Sequence, residues 1–546
     1  MINKPSLNKL GILTGPIFLL CLAVGFAWAS DDDLYSFIRL FDKIAITVSD
    51  RYVLPLDPEK MINSSIKGMM KDLDKYSRYL SDQDYYYLMK ETQGEYIGIG
   101  IELEEHSDTV WVSSVIEGSP AAASNVRVGD RIIKVDSLDA VGLSASECRD
   151  LLRGDKDSRV FINFWRPLFS KHIEIEFTRE NIHIEPVPCW CIDSYNNGYI
   201  KITRFSEGTA LEVESLISLL MDKGISGLII DLQNNPGGLL YEAVELASIF
   251  LNEDDKIVET RGRGSAALRT YKVREGGIYN KGPLVIVIDD QTASAAEIVA
   301  GAIQDHDRGL IVGSTSYGKG LVQQIMQFDD NSALKLTTAK YYTPSNRCIQ
   351  KDTSLSNLAK PENSDRNILF YTKSGRPVFG GGGIIPDIYI DRLETPPFLD
   401  DINTLGYVTD FVAEYGPKLD IDENFVVSDD IVSLFIGYIE KKKYVYRNPE
   451  FSAFDQFVDQ NKDWLNKDNL SGYVDDIKKI LEKKSDKEML TLHSQIKDIL
   501  YESFITQGLG KRKAYELVWL KTHPELIKAG MVLGNPQTYD NLLANY

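Results

Sequence analysis

The stretch from residue 198 to residue 313 alternates apolar runs with amphipathic segments, and this alternation limits the fold more than any other feature of the chain. The runs GYIKITRF (198–205), ISGLIIDLQ and LVIVIDD (284–290) are typical of strands, and ALEVESLISLLMDKG, LLYEAVELASIFL and SAAEIVAGAIQD are typical of helices. Strands that alternate with helices are joined by right-handed crossovers into a largely parallel sheet. We therefore predict an α/β core with a mostly parallel sheet.

The flanking segments have different periodicities. Residues 31 to about 90 place apolar residues at three- and four-residue intervals, which predicts helices. From Tyr96 the period changes to two, and after Pro386 a charged helical pattern continues to Tyr546. For a chain of 546 residues we expect a helical domain at 30–90, a compact mixed domain at 91–170, the α/β core at 171–390 and a separate helical domain at 391–546.

The first 29 residues resemble a secretory signal peptide. Lys4 and Lys9 precede the apolar stretch PIFLLCLAVGF, and the small residues Ala27 and Ala29 lie before an acidic segment. We expect cleavage after Ala29 and export to the periplasm, with an uncleaved membrane anchor as the alternative. The net charge of −20 argues against a nucleic-acid partner, because phosphate binding needs a basic surface.

The cysteines that follow the signal segment are Cys148, Cys189, Cys191 and Cys348. A metal site would need two close pairs, and only Cys189 and Cys191 are close in sequence. We therefore expect no metal and no cofactor, and interpret these cysteines as small core residues. The alternative, in an oxidising compartment, is that two of them form one long-range disulfide.

Two strand ends carry residues suited to catalysis, because working groups of a parallel sheet gather at the carboxyl ends of its strands. The sequence LQNNPGG (232–238) follows the strand GLIID and can form a tight turn with exposed N–H groups. Ser294 follows the strand LVIVIDD, lies between alanines and begins a helix, whose N-terminus favours negative charge. By base rate such a serine is an N-cap, and the alternative is a nucleophile.

A nucleophilic serine needs a base, and His306 and Lys319 are the candidates. His306 lies one helix away in the charged sequence QDHDR, where we expect it to be solvated. Lys319 follows a strand and lies between glycines, in a turn that can bury it. A lysine acts as a base only when neutral, and desolvation can lower its pKa enough. Gln323 would share a strand face with Lys319 and orient its amine, unless it is simply an exposed strand residue.

The sequence GSTSYGKG (313–320) also approaches the phosphate-binding P-loop pattern. Gly313, Gly318 and Lys319 have the required spacing, but Gly320 replaces the Ser or Thr whose hydroxyl binds magnesium. The residues that follow alternate as strands do, whereas a P-loop is followed by a helix. A nucleotide-binding enzyme is therefore disfavoured.

From about residue 38 to residue 390, motifs occur in the same order as in the C-terminal processing peptidases, or tail-specific proteases, which the chain resembles. GEYIGIGIEL and GSPAAASNVRVGDRIIKVD resemble the PDZ domain of that family. DLQNNPGG, TASAAEI and GSTSYGKGLVQ resemble its peptidase core, and TTAKYYTPSNRCIQ resembles the strand pair after it. The resemblance implies a PDZ domain at 91–170 and a crotonase/ClpP-like core.

The resemblance also implies a role for each matching residue. Ser294 would be the nucleophile, Lys319 the general base and Gln323 the residue that orients the lysine. The main-chain N–H groups of Gly237 and Ala295 would form the oxyanion hole.

The chain departs from the family pattern at two positions. Gln233 stands where the family often has arginine, which leaves open the local charge partner. Asn346 stands where glycine is usual, and this change is mild because asparagine tolerates a left-handed backbone.

A loop in PDZ domains offers N–H groups to a terminal carboxylate, and the sequence GIGI resembles it. The residues concerned are Gly98, Ile99, Gly100 and Ile101. A bound peptide would add as a strand to the sheet edge. The simpler interpretation is a glycine-containing strand.

Together these resemblances imply an exported serine endopeptidase that recognises and cleaves proteins at or near their C-termini through an acyl-enzyme. Its partners would be polypeptides with a free C-terminus, and a homodimer and an adaptor protein stay open. The alternative is a catalytically inactive scaffold or binding protein that keeps the PDZ domain.

Overall fold

The computed structural model describes residues 31–106, 109–116, 118–166, 171–264, 267–351, 368–391, 395–467 and 470–544. The predicted signal peptide at 1–29 lies outside these ranges. The chain divides into two compact units between residues 79 and 80. No helix within the described ranges is long and apolar enough to cross a membrane.

The first unit contains two amphipathic helices, α1 (Asp31–Arg51) and α2 (Pro58–Lys71). Helix α2 begins where the carboxylate of Asp57 accepts the N–H groups of Glu59 and Lys60, and Pro58 occupies the first helical position. Helix α1 exposes many of its apolar side chains, including Leu34, Phe37, Ile38, Phe41 and Ile44. The short strand β1 (Arg78–Leu80) spans the boundary between the units.

The mixed domain of the second unit is an antiparallel sheet with one longer helix. Its elements are α3 (Asp82–Thr92), β2 (Glu95–Gly98), β3 (Ile101–His106), β4 (Thr109–Val115), α4 (Pro120–Ala123), β5 (Arg131–Val135), β6 (Leu138–Asp139), α5 (Ala145–Leu152), β7 (Arg159–Arg166), β8 (Lys171–Thr178) and β9 (Glu180–His183). The strand order β3-β4-β5-β7-β8 leaves β3 at an edge. That edge is available for strand addition by a peptide.

The core sheet has the order β10-β11-β12-β15-β16-β21, and every pairing except β10 with β11 is parallel. Its strands are β10 (Cys189–Ile192), β11 (Asn197–Lys201), β12 (Gly227–Asp231), β15 (Leu284–Ile288), β16 (Leu310–Gly313) and β21 (Ile388–Tyr389). The mostly parallel sheet expected from the alternation is therefore present. Its likeness to crotonase and ClpP stays a prediction.

A second, antiparallel sheet and three long helices complete the peptidase segment. The helices are α6 (Thr209–Asp222), α7 (Leu240–Ser248) and α8 (Ala295–Asp305), and the other strands are β13 (Lys256–Gly262), β14 (Arg269–Lys272), β17 (Leu321–Gln327), β18 (Ala333–Tyr342), β19 (Leu369–Tyr371) and β20 (Pro377–Phe379). Apolar residues of α6, α7 and α8 pack on one face of the parallel sheet. Helix α8 is buried along its whole length.

The C-terminal helices have two different packing partners. They are α9 (Pro397–Thr404), α10 (Tyr407–Tyr415), α11 (Asp429–Lys441), α12 (Pro449–Gln460), α13 (Lys462–Lys467), α14 (Ser471–Thr491), α15 (His493–Leu509), α16 (Lys511–Ala514), α17 (Leu520–Thr522), α18 (Pro524–Leu533) and α19 (Pro536–Ala544), with a 3₁₀ turn at Gly416–Lys418 and a π turn at Tyr515–Trp519. Helices α9, α10, α11 and α15 enclose an aromatic core of their own around Phe411, Phe435 and Phe504.

The last helices instead cover the second face of the parallel sheet. Leu526, Val532 and Tyr539 pack against strand residues such as Ile229 and Val285. The sequence pattern placed all of 391–546 in a separate domain, whereas α18 and α19 complete the core. Helical periodicity shows that a segment has an apolar face but does not show which surface that face contacts.

The mixed domain is held against the C-terminal helices by polar and aromatic contacts. Arg131 Nη2 lies 2.8 Å from the carboxylate of Asp410, whose side chain is 6% exposed, and the same guanidinium stacks over the ring of Trp111. A side chain on Gly406 would collide with that ring. The described cysteines Cys148, Cys189, Cys191 and Cys348 are all free thiols, in keeping with their interpretation as core residues.

Candidate active site

Three loops meet at the carboxyl ends of β12, β15 and β16, which are neighbours in the parallel sheet. The loop after β12 and the loop after β15 are joined by hydrogen bonds from Ala293 N to Asn235 O (2.9 Å) and from Thr292 Oγ1 to Leu232 O (2.8 Å). The loop after β16 is joined to them by Tyr317 N, which donates to Thr292 O at 3.0 Å. The predicted site residues Gly237, Ser294, Ala295 and Lys319 all lie on these loops or next to them.

Ser294 has a strained backbone, with φ 56° and ψ −115°, immediately before helix α8. Non-glycine residues rarely adopt such a conformation, and those that do cluster at functional sites. Burial raises the pKa of Tyr341, so its hydroxyl stays protonated and donates to the carbonyl oxygen of Ser294 at 3.2 Å. The serine is half-buried, and its main chain is fixed from both sides.

A buried glutamate, Glu297, joins the serine to the lysine. Its Oε2 accepts the N–H of Ser294 at 2.7 Å and the N–H of Lys319 at 2.9 Å, while Oε1 accepts Ser316 Oγ at 2.6 Å and Gly318 N at 2.7 Å. Burial raises the pKa of this carboxyl, and the hydrogen bonds that it accepts offset only part of the rise. Three of the four partners are main-chain N–H groups, which can only donate, so the ionised form fits the site. Sequence reasoning missed this residue, although a glutamate three positions after a helix-initiating serine is a capping-box signal.

Lys319 and His306 lie in different places. Lys319 is half-buried in the turn between β16 and β17, beside the start of helix α8. His306 follows the opposite end of α8, where its Nε2 lies 2.7 Å from Lys256 O. The histidine is not solvated as expected, because its side chain is only 11% exposed and lies 3.6 Å from Asp255.

The residues after Lys319 form a strand rather than a helix, as the argument against a P-loop predicted.

Gln323 is half-buried in strand β17 and donates from Nε2 to Thr337 Oγ1 at 3.2 Å. Lys319 precedes this strand, which begins at Leu321, and a bulge interrupts the pairing between Val322 and Gln323. Strand alternation therefore cannot place the two side chains on one face, and the role of Gln323 stays a prediction.

The turn after β12 lies directly against the serine. A Cβ atom on Gly237 would lie 2.7 Å from Ala293 O, 2.8 Å from Ala295 N and 2.9 Å from Ser294 Cβ, so only glycine fits there. Its N–H donates to Asn235 Oδ1 at 2.9 Å. Gly238, the next residue, makes no hydrogen bond from its N–H within the described part of the chain. The turn thus offers a second candidate donor that the sequence did not single out.

The sequence left open which charged residue lies near Gln233. In the structure this residue comes from the neighbouring strand. Lys201, at the end of β11, lies 3.1 Å from the carboxylate of Asp231 and donates to Gln233 O at 2.5 Å. The hydroxyl of Tyr199 and the N–H of Gln233 donate to the same carboxylate at 2.7 and 2.9 Å. This buried cluster fixes the start of the turn that carries Gly237.

The predicted carboxylate loop has an internal hydrogen-bond partner. Gly100 has φ +83°, and a Cβ atom there would lie 2.1 Å from Ser119 Cβ, so a side chain is excluded. Burial and the charge of Glu102 raise the pKa of Tyr96, and the N–H of Gly100, which donates to its phenol oxygen, lowers it. One of the predicted donors is therefore already engaged. Ile99 and Ile101 are buried in the domain core.

A cleft of about 1770 Å³ runs from this domain to the catalytic loops. Gly118 and Ser119 line it at the PDZ end, and Asn234 and Pro236 line it at the turn that carries Gly237. Lys511 and its neighbours on α16 form another part of the wall. A polypeptide could reach the site of Ser294 through this passage.

Three segments of the chain match known families. Residues 196–355 match peptidase family S41, residues 111–166 match a PDZ domain, and residues 399–533 match the C-terminal helical domain of probable PDZ-proteases. The peptidase match contains all three catalytic candidates named above.

Known proteases align with this chain over most of their own length. The carboxy-terminal-processing protease of Bartonella bacilliformis is 34% identical over 336 residues, which is 61% of this chain and 77% of the relative. The carboxy-terminal processing protease CtpA of Bacillus subtilis is 30% identical over 402 residues, which is 72% of this chain and 84% of the relative. A solved photosystem II D1 C-terminal processing protease aligns over 66% of this chain and 89% of its own, with 26% identity and a TM-score of 0.39. By its motifs, its domain matches and the proteases of Bartonella bacilliformis and Bacillus subtilis, the chain belongs to the carboxy-terminal processing serine proteases of peptidase family S41.

Proposed function

We propose that the chain is a serine endopeptidase that uses Ser294 as nucleophile and Lys319 as general base. The observation that supports this most is the single oxygen of Glu297 that accepts the N–H groups of both residues. Neutral Lys319 takes the proton of Ser294, Oγ attacks the scissile carbonyl, and the lysine returns the proton to the leaving amine. Water then releases the acyl group in a second step.

The negative charge of the tetrahedral intermediate is stabilised by main-chain donors. Ala295 is the first residue of helix α8, so its N–H has no partner within the helix. The turn at Gly237 and Gly238 lies beside it. Each such donor typically contributes about 3 kcal/mol to the transition state. Gln323 keeps its proposed role of orienting the lysine.

The direct test is incubation of the purified protein with an unfolded polypeptide, with Ser294→Ala as the matched control and mass spectrometry of the fragments. Fragments that appear with the unaltered chain alone support the dyad. Cleavage by neither protein would instead favour the alternative of an inactive PDZ-containing scaffold, and equal cleavage by both would rule out Ser294 as the nucleophile. We also propose export by cleavage after Ala29 and a periplasmic location, with an uncleaved membrane anchor as the alternative. A homodimer and an adaptor protein stay open.

We expect kcat/KM to rise with pH. The base must be neutral, so activity is low below the pKa of Lys319 in the free enzyme and increases as pH passes through it. The measurement is kcat/KM for one peptide across a range of about pH 5 to 9 in buffers of constant ionic strength. A flat profile over that range would contradict a lysine base.

We further propose that the PDZ domain reads the free carboxylate of the substrate through the loop Gly98–Ile101. The carboxylate takes the place of the Tyr96 phenol oxygen as acceptor for Gly100 N–H, and the peptide extends along the open edge of β3. Charge-assisted hydrogen bonds of this kind contribute about 1.5–3 kcal/mol.

Amidation of the substrate's C-terminus should therefore slow cleavage by about ten- to a hundredfold, because it removes the negative charge to which the N–H groups of the loop donate. The comparison is kcat/KM for the free-acid and amide forms of one peptide. Tyr96→Phe serves as the matched variant, and it should strengthen binding of the free acid because Gly100 N–H loses its internal acceptor. If acid and amide are cut equally fast, the PDZ domain gates the active site without reading the terminus.

A further inference from the structure

One cation that lines the cleft, Arg204, has a guanidinium nitrogen without a hydrogen-bond partner among the described residues. Arg204 follows β11, lines the cleft and is half-buried. Its Nη1 is inaccessible to solvent and makes no hydrogen bond within the described ranges of the chain. No ion pair to this guanidinium forms within those ranges either. A buried guanidinium nitrogen without an acceptor is costly, since charged groups lose more than neutral ones on desolvation.

Other cations along the cleft are already neutralised. Arg166 holds the carboxylate of Asp130 at 2.6 Å, Lys511 pairs with Glu102, and Lys513 lies 2.8 Å from Glu423. These pairs tie parts of the wall together and leave little positive charge for a ligand. Arg204 lines the same cleft but differs because no acidic side chain within the described ranges pairs with it.

The main chain places Arg204 next to the catalytic turn. The following residue, Phe205, donates its N–H to Gly237 O at 3.0 Å and accepts the N–H of Leu239 at 2.8 Å. The ring of Phe205 is buried in the core at 1% exposure, whereas the neighbouring Arg204 lines the cleft, as do Asn234 and Pro236. The guanidinium is thus carried by the segment that pairs with the turn beside Ser294.

We propose that Arg204 is a specificity-determining residue that binds a carboxylate of the polypeptide substrate as it passes through the cleft. The planar fork of a guanidinium matches a carboxylate with two parallel hydrogen bonds, which a neutral carbonyl cannot provide. The carboxylate can come from the chain terminus or from a Glu or Asp side chain near the scissile bond. This inference rests on the proposed peptidase function, because it requires substrate to occupy the cleft.

The test is a double-mutant cycle on binding, carried out in the Ser294→Ala protein so that no turnover is needed. The probe is a fluorescent peptide with a free terminus and one internal Glu, compared with its C-terminal amide and with its Glu-to-Gln form by fluorescence anisotropy. Each is measured with Arg204 intact, with Arg204→Gln and with Arg204→Lys. The exposed Arg274→Gln is the control for loss of one surface charge.

With Arg204 intact we expect removal of the recognised carboxylate to weaken binding by about tenfold or more, and with Arg204→Gln that penalty should largely vanish. If Arg204→Gln reduces the effect of amidation on binding, the recognised carboxylate is the chain terminus. If it reduces the effect of the Glu-to-Gln change in the peptide, the recognised carboxylate is the glutamate side chain. Arg204→Lys should keep part of the preference, and Arg274→Gln all of it. The contribution of the PDZ loop is the same in both backgrounds and cancels.

Penalties that are equal with Arg204 and with Arg204→Gln would overturn the inference. A separate cleavage assay on the Ser294 protein distinguishes the two proposals. Cleavage without dependence on Arg204 contradicts this inference alone, whereas Arg204-dependent binding without any cleavage contradicts the peptidase proposal and leaves carboxylate binding in place.

Discussion

Ser294→Ala and Lys319→Ala are each expected to lower kcat on an unfolded polypeptide by about ten-thousandfold or more, and the double variant should be hardly slower than either. The reason is that nucleophile and base act in one proton transfer, so the loss of one removes the function of the other. Lys319→His should not restore activity, because an imidazole is shorter than a lysine side chain and cannot occupy the same position. The measurement is single-turnover cleavage with enzyme in excess.

Two comparisons make this result specific. Lys272→Ala removes an exposed lysine from the same domain and should leave kcat unchanged. A double variant that is slower than Ser294→Ala by the full factor seen for Lys319→Ala would mean that the two residues act independently. In that case the lysine would contribute to folding or substrate binding rather than to proton transfer.

Glu297→Gln should cause the second large loss, in stability as well as in rate. Each oxygen of Glu297 accepts two hydrogen bonds, and three of the four donors are main-chain N–H groups, so an amide in either orientation points its NH₂ at one or more of them. At least one charge-assisted bond is lost, at about 1.5–3 kcal/mol. The turn at Gly318 and Lys319 would then shift relative to Ser294, and we expect kcat to fall by about a hundredfold or more in protein that is still folded.

Glu242→Gln is the matched control. Glu242 is also a buried core glutamate, and it accepts the N–H groups of Gly208 and Ala210 at 2.8 Å at the start of helix α6, without a hydrogen bond to Ser294 or Lys319 in the described part of the chain. This variant should lower the unfolding midpoint in urea but keep kcat per folded molecule. If both variants lose stability and only stability, Glu297 is a structural residue without influence on the dyad.

Sequence reasoning anticipated the parallel sheet because its signal is local. Each strand of the core is a short apolar run, and each helix follows with its own periodicity, so element type and order could be derived residue by residue. The same holds for the positions of Ser294 and Gly237, because strand ends in a parallel sheet share one edge. That Ser294 and Lys319 lie on adjoining loops follows from the adjacency of β15 and β16.

What could not be predicted depends on contacts between distant segments. Lys201 reaches the carboxylate of Asp231 from a different strand, and only the register of β11 with β12 brings the two together. That Arg204 has no acidic partner among the described residues likewise depends on how distant segments pack. Tyr96 beside Gly100 could not be foreseen either, because a side chain that folds back on its own loop leaves no periodic signal.

The packing of α18 and α19 on the parallel sheet has a consequence for biogenesis. The strands that position Ser294 are made from residues 189 to 389, yet one face of their sheet stays bare until residues near 526 to 539 have emerged from the ribosome or the export channel. Contacts so far apart in sequence form late in folding. The sheet that positions Ser294 therefore cannot be completed until the last helices of the chain have been synthesised.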